Sequence, residues 1–411
     1  MKFKKDLFWN YVSLMIMAIA GLLMNTLIGY FYDSSVLGIF NETYAWYMIL
    51  SQITVWGIHM SVLKLVPEQE SEIEKGNILI SALFIVLIIS VLIIVIVEGL
   101  LLLFENVAWK NSLQIAVTGL LFFSLNKILL NYQNSLSEMT SYAIFQMIRY
   151  FMLILSITIF SLKKIQYNML ALTFPITEGL IFLILFIYTH KQGSLKGKIC
   201  NSCMKELFVF GTKILPSNMV VEMNTKVDVV CLGLLVNDTA QIGVYSFAIL
   251  FSEGFYQLYI TLRKIIDPQI AEWNVQNRLE EFLQLVQKIG KKYFLMGTVA
   301  VYVLILLVYI FVVKIMLSDE YRAGVFYLAI VCFAMGINGK SIILGNILAQ
   351  TGYPLQESKL NIITVLCNII FNIIFITLWG TIGAAVASAI SYFVYGTKLK
   401  RFVRDGLGII L

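Results

Sequence analysis

The chain has 411 residues, a formal net charge of +6, and only two histidines and five cysteines. Hydrophobic residues make up 59% and charged residues 13%, and the mean hydropathy is +0.85, which excludes a soluble domain. Apolar runs long enough to cross roughly 30 Å of hydrocarbon recur throughout, so the expected class is an all-α polytopic membrane protein with no separate soluble domain.

Twelve such runs are predicted as membrane helices. In chain order they are Phe8–Phe31, Phe40–Leu63, Asn77–Leu103, Ser112–Asn131, Met139–Phe160 and Tyr167–Tyr188. After a polar loop come Leu207–Leu235, Ile242–Leu262, Lys292–Leu317, Gly324–Ala349, Leu360–Leu378 and Gly380–Tyr395. Lys2, Lys4 and Lys5 precede the first run without a short apolar core and small-residue cleavage site, so that run is expected to be retained. Between helices eight and nine, Glu272–Lys288 sets Trp273, Val275, Leu279, Phe282, Leu283 and Val286 against Arg278, Glu280, Glu281 and Lys288. It reads as an amphipathic helix lying on the inner membrane surface.

With an even helix count both termini share a side, and that side carries about twenty of the Lys and Arg residues against about five opposite. Both termini are therefore expected in the cytoplasm, with Lys163 and Lys164 as outward exceptions. The polar, basic segment 191–206 divides an N-terminal six-helix lobe, 1–190, from a C-terminal one, 207–411. The halves share a pattern. Asp33-Ser-Ser-Val-Leu-Gly38-Ile-Phe40 leads into helix two, and Asp238-Thr-Ala-Gln-Ile-Gly243-Val-Tyr245 leads into helix eight. Pro67 and Pro268 are each expected to close the helix that follows. The repeat is parallel, since the first helix of each half starts on the same side.

Gly211-Thr-Lys-Ile-Leu-Pro216, Asp228, the Asp238–Tyr245 run and Asp267-Pro268-Gln-Ile-Ala-Glu272 resemble the second-half opening of bacterial polysaccharide flippases of the Wzx type. Gln350-Thr-Gly352 and the joint Leu378-Trp-Gly380-Thr-Ile-Gly383-Ala-Ala-Val-Ala387 extend the resemblance over almost the whole chain. These are structural signatures of the multidrug/oligosaccharidyl-lipid/polysaccharide superfamily and say little about substrate. The resemblance implies a two-lobed, V-shaped bundle. It would move an undecaprenyl-diphosphate-linked oligosaccharide, an O-antigen or capsule repeat unit, to the outer leaflet of the cytoplasmic membrane by alternating access, without nucleotide hydrolysis. It makes that lipid-linked glycan and membrane lipid the expected partners and leaves a polymerase and a chain-length regulator open. It implies a carrier rather than an enzyme, with no cofactor, metal or nucleic acid.

Charges within the apolar runs are costly, at roughly 2.5–3.5 kcal/mol each at a helix centre, and mark a polar path. Arg149 lies at the middle of helix five, Lys340 past the middle of helix ten, and Lys127 in helix four beside Asn126. Helix seven carries Lys213, Asn218, Glu222, Asn224, Lys226 and Asp228 over about half its circumference. A diphosphate needs cationic groups, and Arg149, Lys226 and Lys340 are the preferred phosphate-facing set, with Lys127 next. Lys127 and Lys213 can also snorkel to the interface. Glu222 and Lys226 stand four apart and either face the cavity or satisfy each other. Glu178, Glu253 and Asp228, with Glu222, are the candidates for ion coupling, the alternative being salt bridges to the buried cations. Asn361, Thr364, Asn368 and Asn372 form one stripe of helix eleven, open to glycan hydroxyls or to interhelical packing, with Asn368 as the candidate substrate contact.

Two local motifs carry no function at this level. Ala334–Ser341 fits a permissive phosphate-binding loop but lies inside a membrane helix rather than after a strand. Cys200-Asn-Ser-Cys203 has redox or zinc-like spacing without a second ligand pair, and reads as two reduced thiols. Three other readings compete, of which a lipid II flippase of the same superfamily is disfavoured because that branch usually carries two further helices. A drug or cation antiporter of the same superfamily would rely on acidic residues early in the first lobe, and helix one has Asn25 but no Asp or Glu. A membrane enzyme of glycan assembly would show large outward loops or intramembrane His and Asp groups, and the outward loops are short.

Overall fold

The computed structural model describes residues 2–104, 107–276 and 278–409, with side chains described for all of these except 2–8, 10, 11, 14 and 286–293. The described residues contain fourteen α-helices and three short 3-10 helices, and no strand. The chain divides into two compact units, Met1–Lys226 and Val227–Leu411.

The first unit holds α1 (Lys2–Phe31), α2 (Ser34–Val55), α3 (Ile58–Leu65), α4 (Glu72–Leu101), α5 (Lys110–Val117), α6 (Leu120–Ser135), α7 (Met139–Leu162), α8 (Thr173–Lys191) and most of α9 (Asn201–Leu235). Asp33 is extended and caps α2, its carboxylate accepting from the Val36 N–H at 2.8 Å. This satisfies one of the donors that the start of a helix leaves open. The predicted helix two is in fact broken. Trp56 and Gly57 both take positive φ, and α2 meets α3 at 50°. The break seats the chain on α9: a Cβ on Gly57 would collide with the Gly211 carbonyl. There the Trp56 indole N–H donates to Thr212 Oγ1 at 2.9 Å and its ring stacks on Phe208. Helix four is likewise two pieces, α5 and α6, meeting at 44°. A 3-10 turn, Tyr167–Leu172, leads into α8, so Pro175 falls in the first turn of that helix, where its missing N–H costs nothing. Apolar side chains of α3, α4, α6, α7, α8 and the start of α9 form the core here, around Leu79, Ile128, Ile181 and Leu207.

The second unit holds the end of α9, then α10 (Thr239–Val275), α11 (Leu279–Met316), α12 (Gly324–Ile343), α13 (Ile347–Gln350) and α14 (Pro354–Leu407). Asp238 caps α10 as Asp33 caps α2, accepting from Ala240 and Gln241. The sequence pattern shared by the two halves is therefore a shared helix start. α14 spans the predicted helices eleven and twelve, with Gly380 alone non-helical between them at φ 57°, ψ −134°. Side chains rarely permit that conformation.

Two expectations fail in this unit. Pro268 does not close its helix; α10 continues to Val275. The proline forfeits one backbone bond, but Ile266, Ile270 and Trp273 around it pack into a buried cluster with Leu279, Phe282 and Leu283, which holds the turn helical. Consequently the predicted surface helix 272–288 does not exist as a separate element. Its start ends α10 and its remainder opens α11. The apolar face meets Leu344, Ile347, Leu348, Leu360, Leu399 and Val403 rather than lipid. Val275 is exposed, and the side chains of Val286 and Lys288 lie outside the described residues.

Among the described residues six helices are long and apolar enough to cross a membrane, or eight if each bent pair is one span. α9 and α10 fall short of that test because of their polar residues, and α14 counts once although Gly380 divides it. Exposed Leu, Ile, Val and Phe side chains cover the outer faces of α4, α11 and α14, as a multi-pass membrane protein requires.

Candidate functional site

Five of the sequence-predicted residues gather in the first unit. Arg149 on α7 donates from Nε to Glu178 Oε1 at 2.7 Å, with Nη2 at 2.5 Å from the same oxygen. The other carboxylate oxygen accepts from Asn126 Nδ2 of α6 at 2.9 Å. Glu178 is 2% exposed and Arg149 15%. A pair so buried is tolerated because each ion neutralises the other and Asn126 fills a remaining lone pair. The Arg149 guanidinium also lies over the Phe123 ring, 4.8 Å from its centroid, a cation–π contact strengthened by desolvation.

A second chain of bonds runs beside the first. Lys127 Nζ donates to Gln52 Oε1 at 3.2 Å, and Gln52 Nε2 donates to Glu222 Oε2 at 3.2 Å. Gln52, central in α2, thus joins a cation of α6 to a carboxylate of α9. Lys226, one turn on from Glu222, lies over the Tyr44 ring at 5.6 Å. Tyr44 is within electrostatic range of Tyr150, Lys226, Glu222 and Arg149. Around Tyr44 and Gln52 the unit therefore assembles three cations, Lys127, Arg149 and Lys226, and two carboxylates, Glu178 and Glu222.

The remaining candidates belong to the second unit. Asp228 is buried, and its Oδ2 accepts from the Tyr245 hydroxyl of α10 and from Ser388 Oγ of α14, each at 2.9 Å. Asn368 is buried on α14 and its Oδ1 accepts from Asn372 Nδ2 at 2.7 Å. Glu253 is half-buried on α10, and Lys340 is exposed on α12 next to buried Asn338 and Ser341.

Sequence reading passed over Gln52, Tyr44 and Glu42. Gln52 is a polar residue in the middle of an apolar run, the same signal as Arg149 without the charge. Glu42 lies near the predicted start of helix two, where a carboxylate reads as interfacial, yet it is 1% exposed and its Oε1 has no hydrogen-bond partner among the described residues.

Within the first unit the arrangement offers charge-assisted donors from Lys127, Arg149 and Lys226 and acceptors from Glu178 and Glu222. The model of the family described as "Polysaccharide biosynthesis protein" matches residues 3–271. Among curated proteins none matches the chain. Of solved structures, "Lipid II flippase MurJ, inward closed conformation" superposes at TM-score 0.81 with 18% identity, over 96% of this chain and 87% of that one. "Inward-facing conformation of a multidrug resistance MATE family transporter of the MOP superfamily" superposes at 0.74 with 13% identity, over 95% and 94%. A structure of the MATE multidrug transporter DinF-BH superposes at 0.66 with 15% identity, over 98% and 95%. The fold is thus that of the multidrug/oligosaccharidyl-lipid/polysaccharide superfamily, and with its family model matched over more than half its length the chain belongs to the polysaccharide biosynthesis protein family.

Proposed function

We propose that the chain flips an undecaprenyl-diphosphate-linked oligosaccharide across the bacterial cytoplasmic membrane by alternating access, with both termini cytoplasmic and six-helix halves 1–190 and 207–411 joined by 191–206. The observation that carries this reading is the excess of cations over carboxylates around Gln52 and Tyr44 in the first unit. A diphosphate offers the charge-assisted acceptors such a cluster needs. In its absence Glu178 and Glu222 hold the cations in place. On arrival the phosphate oxygens take over Arg149, Lys127 and Lys226 as partners, and the buried carboxylates are released to accept a proton or another cation. Asp228 and Glu253 join Glu178 and Glu222 as the coupling set, and Lys340 and Asn368 complete the substrate contacts. A polymerase and a chain-length regulator are the proposed working partners.

The second reading, a drug or cation antiporter, is favoured by the fold shared with MATE transporters. Binding separates the two. Purified protein in nanodiscs is expected to bind a short undecaprenyl-diphosphate oligosaccharide more tightly than the monophosphate form, and to lose that preference in Arg149→Ala. Binding of a cationic rhodamine dye with no diphosphate preference would move the assignment to the antiporter.

A further inference from the structure

Cys200 and Cys203 flank the first turn of α9, ahead of its apolar part, and nothing in the proposed transport cycle uses them. Cys200 precedes the first helical residue, Asn201, and occupies the N-cap position. Its Sγ accepts from the Cys203 N–H at 3.4 Å and lies 2.9 Å from Ser202 Oγ. The backbone before the helix is held as well. The Cys200 N–H donates to Ser81 Oγ at 3.0 Å and the Lys198 N–H to Asn77 Oδ1 at 2.7 Å, both on α4. The fold thus holds the Cys200 backbone against α4 and turns its Sγ toward the backbone of Cys203, one helical turn on. Their surroundings differ. Both are half-buried, but Cys203 packs against the buried core of the first unit, whereas the Cys200 Sγ–Ser202 contact is exposed.

That difference sorts their chemistry. Hydrogen bonds from Cys203 and Ser202 pull the Cys200 thiol down to about 7, and burial pushes the Cys203 thiol up to about 11. The open N–H groups at a helix start favour a thiolate in the same place. Among the described residues no group of three or more His, Cys, Asp or Glu side chains is placed to hold a metal ion. We infer that Cys200 and Cys203 are a redox-active pair, with Cys200 attacking and Cys203 resolving, that closes to an intramolecular disulfide by exchange with a low-molecular-weight disulfide.

The exchange balances in two steps. The Cys200 thiolate attacks one sulfur of the small disulfide, forming a mixed disulfide and expelling a thiolate that takes a proton from water. Cys203 then gives up its proton to solvent and attacks Cys200 Sγ, expelling the second thiolate. The protein loses two electrons and two protons, and the small disulfide gains both as two thiols. Excess thiol reverses the sequence. Under the proposed topology the pair faces the cytoplasm, where such thiols are abundant.

The test uses the full chain in nanodiscs with oxidised glutathione, followed by acid quenching, alkylation and peptide mass spectrometry. Wild type is expected to form the Cys200–Cys203 disulfide, with Cys231, Cys332 and Cys367 unmodified. Cys203→Ser should accumulate glutathione on Cys200, and Cys200→Ser should accumulate little on Cys203. In wild type the iodoacetamide rate at Cys200 should rise about tenfold between pH 6 and pH 8, as its thiolate fraction grows through a midpoint near 7. No disulfide in wild type, equal labelling of the two thiols, or a persistent Cys200 adduct with Cys203 intact would each overturn the assignment, and the wild-type arms do not depend on how a variant folds.

Discussion

Arg149 and Glu178 are twenty-nine positions apart in sequence, and each would be intolerable alone where it lies. Removing one partner leaves an uncompensated buried charge, at a cost of about 3–5 kcal/mol, whereas replacing both by apolar side chains is close to neutral. Glu178→Gln is therefore expected to lower the thermal stability of the purified protein well below that of Arg149→Met with Glu178→Leu; equal losses would show that the pair is not coupled. Arg149→Ala at normal abundance should reduce flux about tenfold or more, the scale of one lost charge-assisted hydrogen bond of about 1.5–3 kcal/mol, and a rate equal to wild type would remove Arg149 from the substrate path. The sequence made the ions visible, because a charge in an apolar run is conspicuous. It did not reveal which ions meet, since Arg149, Glu178 and Asn126 come from three helices. Nor did it single out Gln52, whose two amide contacts join Lys127 to Glu222.

Helix starts and joints were easier to read than breaks within helices. Asp33 and Asp238 are legible because an N-cap is a local device, and the Gly380 joint because Gly380 is flanked by apolar runs each long enough to be a helix. Asp33→Ala and Asp238→Ala should each cost about 0.5–2 kcal/mol. Gly380→Ala should cost about 1–3 kcal/mol, as the backbone there is strained for any residue with a Cβ; a melting temperature unchanged by Gly380→Ala would contradict the kink. The break at Trp56–Gly57 has no such local cause. It depends on Gly211, far away in sequence, allowing two backbones to approach, and a single glycine in an apolar run does not announce that. Pro268 misled for the related reason that the packing of Ile270 and Trp273 outweighs one lost hydrogen bond.

At the level of the whole molecule, family membership and superfamily fold agree with an all-helical multi-pass membrane protein. The proposed orientation can be read with single cysteines in a background lacking the native ones. Lys163→Cys and Lys191→Cys are both exposed positions and should label from opposite faces with a membrane-impermeant maleimide; labelling from the same face would overturn the topology. If Glu178, Glu222, Asp228 and Glu253 couple an ion, flux should fall when the proton or sodium gradient is collapsed, and insensitivity to both would remove that role. The most direct measurement of the central claim is flipping itself. Purified protein is placed in vesicles with a short undecaprenyl-diphosphate oligosaccharide, and outer-leaflet glycan is followed with time and no ATP present. Protein-dependent appearance of glycan is expected, slowed about tenfold or more by Arg149→Ala; a glycan distribution identical to that of protein-free vesicles, with the protein folded and a gradient imposed, would contradict that claim.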